Sequence, residues 1–297
     1  MGENTDATDR AHAPLDLPAQ SPLFHAEHAQ RYQRQELIGT YEQRFDCRLI
    51  VVIDAIFPES IPKLEELLYD ADPGQDMHMM LYSPGGDGET AIRMVRSVQA
   101  RCRNLTVIVP DYAKSAATLL VMGAHCILMG PTSDLGPVDP QFRIGHGETE
   151  ALVSAKDIIA AVTQAEEAVA ARPDTFPLHA ALLSDVTALQ VQQARSALER
   201  TADLVEEALK SNPGRTKAQV ARLKAKLMDP LISLPKEHSA VFGAQAAKAA
   251  GLPVEIVDPR SDQWRMVWRL FAKYRVMNAG PGGSVYEGLK ASRVDVF

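Results

Sequence analysis

Between residues 47 and 140, four short apolar runs alternate with segments of helical periodicity. Arg48-Leu49-Ile50-Val51-Val52-Ile53 is a β-branched stretch of the kind buried in the middle of a parallel sheet. Met77–Tyr82, Leu105–Val109 and Cys126–Met129 repeat the theme. Between them, Ile61, Leu64, Leu67 and Leu68, and then Ala91, Ile92, Val95 and Val98, recur on single helical faces, and Ser115–Met122 reads as a short apolar helix. Strands alternating with helices specify an α/β fold of stacked βα units around a mainly parallel sheet. In such sheets ligands bind at the carboxyl ends of the strands, so the loops that follow the strands deserve the closest reading.

The rest of the chain has a different character. Met1–Gln20 is polar and lacks the basic start and apolar stretch of a signal peptide, and residues 1–30 read as a disordered tail. Ser154–Ala170 is Ala-rich and helical, a long helix is expected from about Leu178 to Lys210, and a shorter amphipathic one from Thr216 to Met228. This stretch, about 150–230, reads as a helical insertion within a domain covering 31–260. A helix over His238–Ala250 capped by Gly251, a strand at Val254–Val257, a last helix from about Ser261 to Val276 and a loose Gly280-Pro281-Gly282-Gly283 tail complete the expectation, with 261–297 as the C-terminal helix and tail.

The net charge of −7 disfavours a nucleic-acid or anionic-membrane surface, and no run reaches the 18 apolar residues of a membrane span. Cys47, Cys102 and Cys126 are scattered within or beside apolar runs, as reduced thiols of a cytoplasmic protein would be, and form neither a disulfide framework nor a metal motif. His12, His25 and His28 share no ligand spacing, and His125 sits in an apolar run as a structural histidine. No metal and no cofactor are expected. Trp264 and Trp268 share one helical face and are expected to pack or to meet another subunit.

Three loops carry candidate chemistry. Ser83-Pro84-Gly85-Gly86-Asp87 follows the second strand, where proline fixes φ, two glycines open conformations closed to other residues, and the next helix aims free N–H groups into the turn. Ser115, in Lys114-Ser115-Ala116-Ala117-Thr118, opens an apolar helix after the third strand. It is either an N-cap or, given its small neighbours and its place at the same sheet edge as the glycine turn, a nucleophile with Ala116 and Gly86 as oxyanion donors. Gly130 to Gln141 holds more turn formers than a plain connector needs.

Taken in order, SPGGD, a serine before small residues, and GPVDPQ resemble the Clp/crotonase-like serine peptidases, most closely the serine dehydrogenase proteinase family, with signal peptide peptidase A and the Clp protease subunit more distant. The resemblance is strongest over 47–141 and resumes over Leu234–His238 and Ala247–Val254. It implies a stacked ββα superhelix with a mostly helical second half, a Ser115 nucleophile, oxyanion stabilisation by the Gly85-Gly86 turn, and self-assembly into homo-oligomers. It also implies a peptide or unfolded protein as substrate. The general base stays open. A Ser, Asp, His order places Asp139 and His238 beside Ser115. A dyad like that of signal peptide peptidase A makes Lys156 the base. His146, or no base at all, completes the alternatives. An acyl-CoA hydratase or hydrolase of the crotonase branch, and a catalytically inactive scaffold of the same fold, are the competing functions.

Overall fold

The computed structural model describes residues 21–145, 151–235, 240–279 and 283–295. Chain order begins with α1 (Pro22–Phe45), β1 (Cys47–Ile53), α2 (Ser60–Leu68), β2 (Asp76–Tyr82), α3 (Gly88–Gln99), β3 (Leu105–Val109), β4 (Tyr112–Ala113), α4 (Ala116–Met122) and β5 (Cys126–Met129). Next come β6 (Asp134–Leu135), β7 (Gln141–Ile144), β8 (Ala151–Ser154), α5 (Ala155–Ala171), α6 (Phe176–Leu182), α7 (Ala188–Lys210) and α8 (Lys217–Met228). The chain closes with β9 (Phe242–Gly243), α9 (Ala244–Ala249), β10 (Val254–Ile256), α10 (Asp262–Val276), β11 (Ser284–Glu287) and β12 (Ser292–Asp295).

A seven-stranded sheet runs in the order β10-β5-β3-β2-β1-β11-β12. The first five strands are mutually parallel, and β11 and β12 add an antiparallel edge. Side chains alternate across β1, so Ile50 and Val52 join one core with α2, α3, α4, α7 and α8, while Leu49, Val51 and Ile53 join a second core under α1 and α10. Both faces of the sheet are therefore covered, which is why its strands read as unbroken apolar runs. This is the mixed α/β architecture expected from the sequence, with helices filling the second half.

Several local expectations need correction. α1 begins at Pro22, capped by the Ser21 side chain, so residues 22–30 are helical and not tail; residues 1–20 lie outside the described residues. Its buried face is Arg34, Gln35, Ile38 and Tyr41, half of it polar, which left no apolar stripe to read. The long helix expected from Leu178 is broken into α6 and α7, because Thr187 and Gln190 close a reciprocal capping box that starts a new helix. Of the helices expected as an insertion, α7 and α8 pack into the main core through Val205, Ala208, Leu209, Val220 and Leu227, whereas α5 packs through Ala155 and Ile158 in a separate small cluster with Ala194 of α7. The helix expected over His238–Ala250 is reduced to α9, preceded by β9, which pairs with β6; residues 236–239 lie outside the described residues. Gly251, at φ 99°, terminates α9 as expected. Gly280–Gly282 also lie outside the described residues, but Ser284–Asp295 form a hairpin hydrogen-bonded to β1 instead of a loose tail. Its partner is more than 200 residues away, so nothing local marks it as a strand. Among the described residues no helix is long and apolar enough to cross a membrane.

Candidate active site

The carboxyl ends of β2, β3 and β5 converge on one cleft of about 720 Å³. Pro84, Gly86, Asp87, Ser115, Ala116, Val138, Asp139 and Pro140 line it, so residues of all three loops singled out in the sequence meet there.

The glycine turn is built on backbone constraints. Gly85 has φ 101° and Gly86 φ 141°, values that side chains disfavour. A Cβ on Gly85 would stand 2.6 Å from the Lys114 carbonyl oxygen, and one on Gly86 would stand 2.2 Å from the Ile56 carbonyl oxygen. Ile56 N–H donates to Gly85 O (2.8 Å) and Asp87 N–H to Ile56 O (2.7 Å), which locks the turn against the loop after β1. Asp87 then caps α3, its Oδ1 accepting from Thr90 N–H at 2.7 Å.

Ser115 occupies φ 50°, ψ −120°, a conformation unusual for a non-glycine residue and one that needs support from its surroundings. That support is close by. Lys114 N–H donates to Ser83 O (3.0 Å), Ala117 N–H to Lys114 O (2.9 Å) and Thr118 N–H to Ser115 O (2.9 Å). Thr118 Oγ1 donates to Ala113 O (2.8 Å) and accepts from Gly136 N–H (3.2 Å), joining the first turn of α4 to the third loop. Ser115 lacks a side-chain capping hydrogen bond, so it is not serving as an ordinary N-cap.

The expected oxyanion donors divide. Gly85 N–H is donated to the Ser83 hydroxyl at 3.1 Å. Gly86 N–H and Ala116 N–H have no hydrogen-bond acceptor among the described residues, and both residues line the cleft with Ser115.

Asp139 is 2% exposed and lies in the cleft wall. Its loop is fixed on both sides, by Val138 N–H to Leu231 O (2.9 Å) and Ala155 N–H to Pro140 O (2.9 Å). Lys156 stands in the first turn of α5 and donates its ammonium to the Pro235 carbonyl; it is not among the residues that line the cleft. His238 and His146 lie outside the described residues. The two residues that bracket 236–239 are anchored: Pro235 O accepts from Lys156, and Ala240 O from Lys114 Nζ at 3.4 Å. His125 Nδ1 accepts from Leu105 N–H at 3.0 Å, and burial lowers its pKa, in keeping with a structural role. Among the described residues no group of His, Cys, Asp and Glu is placed to hold a metal ion.

Sequence reasoning missed one wall of the cleft. Ala197, Arg200, Thr201 and Leu204 of α7, with Phe57, Arg143 and Leu152, close it. Arg200, 41% exposed as a solvated helix residue is expected to be, forks onto Glu89 through Nε (2.6 Å) and a terminal nitrogen (2.7 Å) and reaches Glu207 at 2.7 Å. Glu89 and Arg200 are 111 positions apart, and no spacing in the sequence connects them.

The sequence model of a family described as ClpP-like SDH-type serine proteinases matches residues 70–261. The chain is 27% identical over 222 residues to the uncharacterised protein MJ0137 of Methanocaldococcus jannaschii, a match covering 75% of this chain and 66% of that one. It is also 27% identical over 209 residues to the uncharacterised protein MJ1495 of the same organism, covering 70% and 60%. The matches thus span less than two thirds of either relative. A solved structure of a mutant of the 1510-N membrane-bound stomatin-specific protease overlaps 41% of this chain and 60% of its own, at 16% identity and a TM-score of 0.30.

Proposed function

The chain belongs to the family of ClpP-like SDH-type serine proteinases, and from that premise we propose that it is a peptidase cleaving peptide bonds through an acyl-enzyme on Ser115. One observation carries this reading. The strained serine turn and the double-glycine turn share a cleft in which Gly86 N–H and Ala116 N–H have no acceptor among the described residues. Ser115 Oγ attacks the scissile carbonyl while the two amides receive the developing oxyanion. The amine leaves with the proton taken from the serine, and water then releases the acyl group by the reverse sequence.

His238 is the proposed base and Asp139 its orienting acid. The burial of Asp139 in the wall shared with Ser115, and the anchoring of Pro235 and Ala240 on either side of His238, support this assignment. Lys156 is the alternative base. Its ammonium is engaged by the Pro235 carbonyl, and Lys156 is not among the residues that line the cleft. A hydratase of the crotonase type needs free carboxylates above the oxyanion turn, whereas Asp87 is committed to Thr90 and Glu89 to Arg200.

The proposed substrate is a peptide or an unfolded protein, and the proposed working form is a homo-oligomer in the cytoplasm. Exposed Phe176, Leu178 and Leu182 on α6, and Trp268 at 51% exposure while Trp264 is buried, support self-association. Free Cys47, Cys102 and Cys126 fit a reducing compartment. Hydrolysis of fluorescently labelled casein tests the proposal: wild type digests it and Ser115→Ala does not, whereas equal digestion by the two refutes it.

A further inference from the structure

Lys114, the residue before the proposed nucleophile, has a side chain held in an unusually specific place. Its ammonium is paired with the Asp134 carboxylate, and the two side chains are only 17% and 15% exposed. The same ammonium donates to Ala240 O at 3.4 Å, while the other Asp134 oxygen accepts from Phe242 N–H at 2.7 Å. Asp134 thus links β4 and β9, its two partners in the three-stranded β4-β6-β9 sheet. The aliphatic stem of Lys114 lies where a side chain on residue 136 would be, since a Cβ on Gly136 would stand 2.3 Å from Lys114 Cδ. On its backbone, Lys114 bonds Ser83 through N–H and Ala117 through C=O.

We propose that Lys114 is a positioning residue of this site: its ammonium, clamped between Asp134 and the Ala240 carbonyl, holds the turn that keeps Ser115 at positive φ beside the Gly86 and Ala116 amides. The inference rests on Ser115 being the nucleophile. A non-glycine residue at φ 50° persists only where its neighbours over-determine the backbone, and the anchored Lys114 side chain supplies one of those restraints. The charge acts through geometry, not proton transfer, because Asp134 occupies the ammonium and neither Lys114 nor Asp134 is among the cleft-lining residues.

The test compares Lys114→Met, which keeps the stem and removes the charge, with Asp134→Asn, which removes the ion pair and keeps an acceptor for Phe242. The readout is the second-order rate of fluorophosphonate attachment to Ser115, followed alongside kcat, KM and circular dichroism. Lys114→Met is expected to lower the labelling rate and kcat by about 10- to 100-fold, the scale of a sub-ångström to ångström misplacement. KM and the shape of the pH–rate profile are expected to stay as in wild type, and Asp134→Asn to lose rate in the same direction by a smaller factor. Labelling of folded Lys114→Met at the wild-type rate overturns the inference while leaving the serine assignment standing. If Lys114→Met does not fold, labelling of Asp134→Asn at the wild-type rate does the same. Loss of the ascending limb of the pH profile in Lys114→Met overturns it by making Lys114 a proton carrier. A wild type that the probe does not label overturns the inference together with the serine reading beneath it.

Discussion

Gly85 and Ser115 touch: a Cβ on the glycine would lie 2.7 Å from the Cβ of the serine. The glycine turn after β2 and the serine turn after β4 are therefore packed as one unit, and a side chain on Gly85 would displace one or both. Gly86 sits one residue farther along and lines the cleft, and its N–H has no acceptor among the described residues.

Gly86→Ala introduces a Cβ 2.2 Å from the Ile56 carbonyl oxygen at a φ of 141°. The turn must shift, and the Gly86 amide shifts with it. Loss of one oxyanion donor typically costs about 100-fold or more in kcat. Peptide hydrolysis normalised to the folded fraction is expected to fall by at least about that factor, with a much smaller change in KM. An unchanged kcat removes this turn from the mechanism.

The identity of the base is decided by pH. If His238 carries the proton, activity declines as pH drops through about 6.5, and His238→Ala abolishes it. If Lys156 is the base, its pKa must be depressed from about 10.4, activity climbs into the alkaline range, and Lys156→Ala is the inactive variant. Full activity in His238→Ala contradicts the assignment preferred above.

The buried clamp between the ends of the chain predicts a large stability effect. Arg34 is 3% and Glu287 0% exposed; Arg34 Nε donates to Glu287 at 2.7 Å, and Tyr274 OH donates to the same carboxylate at 2.6 Å. Arg34→Leu strands the carboxylate and is expected to cost about 3–5 kcal/mol in urea unfolding, whereas the double change with Glu287→Leu costs less than the single one. Equal losses in the two variants contradict the pairing.

The motifs that define the cleft were legible because each sits within a few residues of a strand end, where sheet geometry dictates what faces the site. Four of the five parallel strands were legible from apolar continuity; the fifth, β10, carries Glu255 at its centre, and its pairing with β5 could not be read from the sequence. Long-range events were not. Glu287 looks like a surface residue until Arg34, 253 positions away, neutralises it, and the hairpin that carries it pairs with β1 from the other end of the chain. Arg200 stays partly solvated, but its pairing with Glu89 has no signature in the sequence. Gly85 looked like an oxyanion donor because spacing cannot reveal that the Ser83 hydroxyl already takes its amide.

Acid should weaken the fold through His78. Burial pushes its pKa down to about 4, and its Nδ1 lies 2.8 Å from the Tyr41 hydroxyl. In the unfolded chain the same group titrates near 6.5. Between those values the unfolded state binds the extra proton, so the contribution is complete above about pH 6.5 and is lost as pH falls towards about 4. The full loss is about 3 kcal/mol. The difference in unfolding free energy between wild type and His78→Gln is expected to change with pH across that window. A constant difference contradicts the shift.

Every step of the proposed hydrolysis requires Ser115 to be a nucleophile. Intact-mass analysis after fluorophosphonate treatment, with peptide mapping of the adduct, tests it most directly. One adduct per chain is expected, on the peptide containing Ser115, and none in Ser115→Ala. An unmodified wild type, or an adduct on another residue that survives in Ser115→Ala, contradicts it.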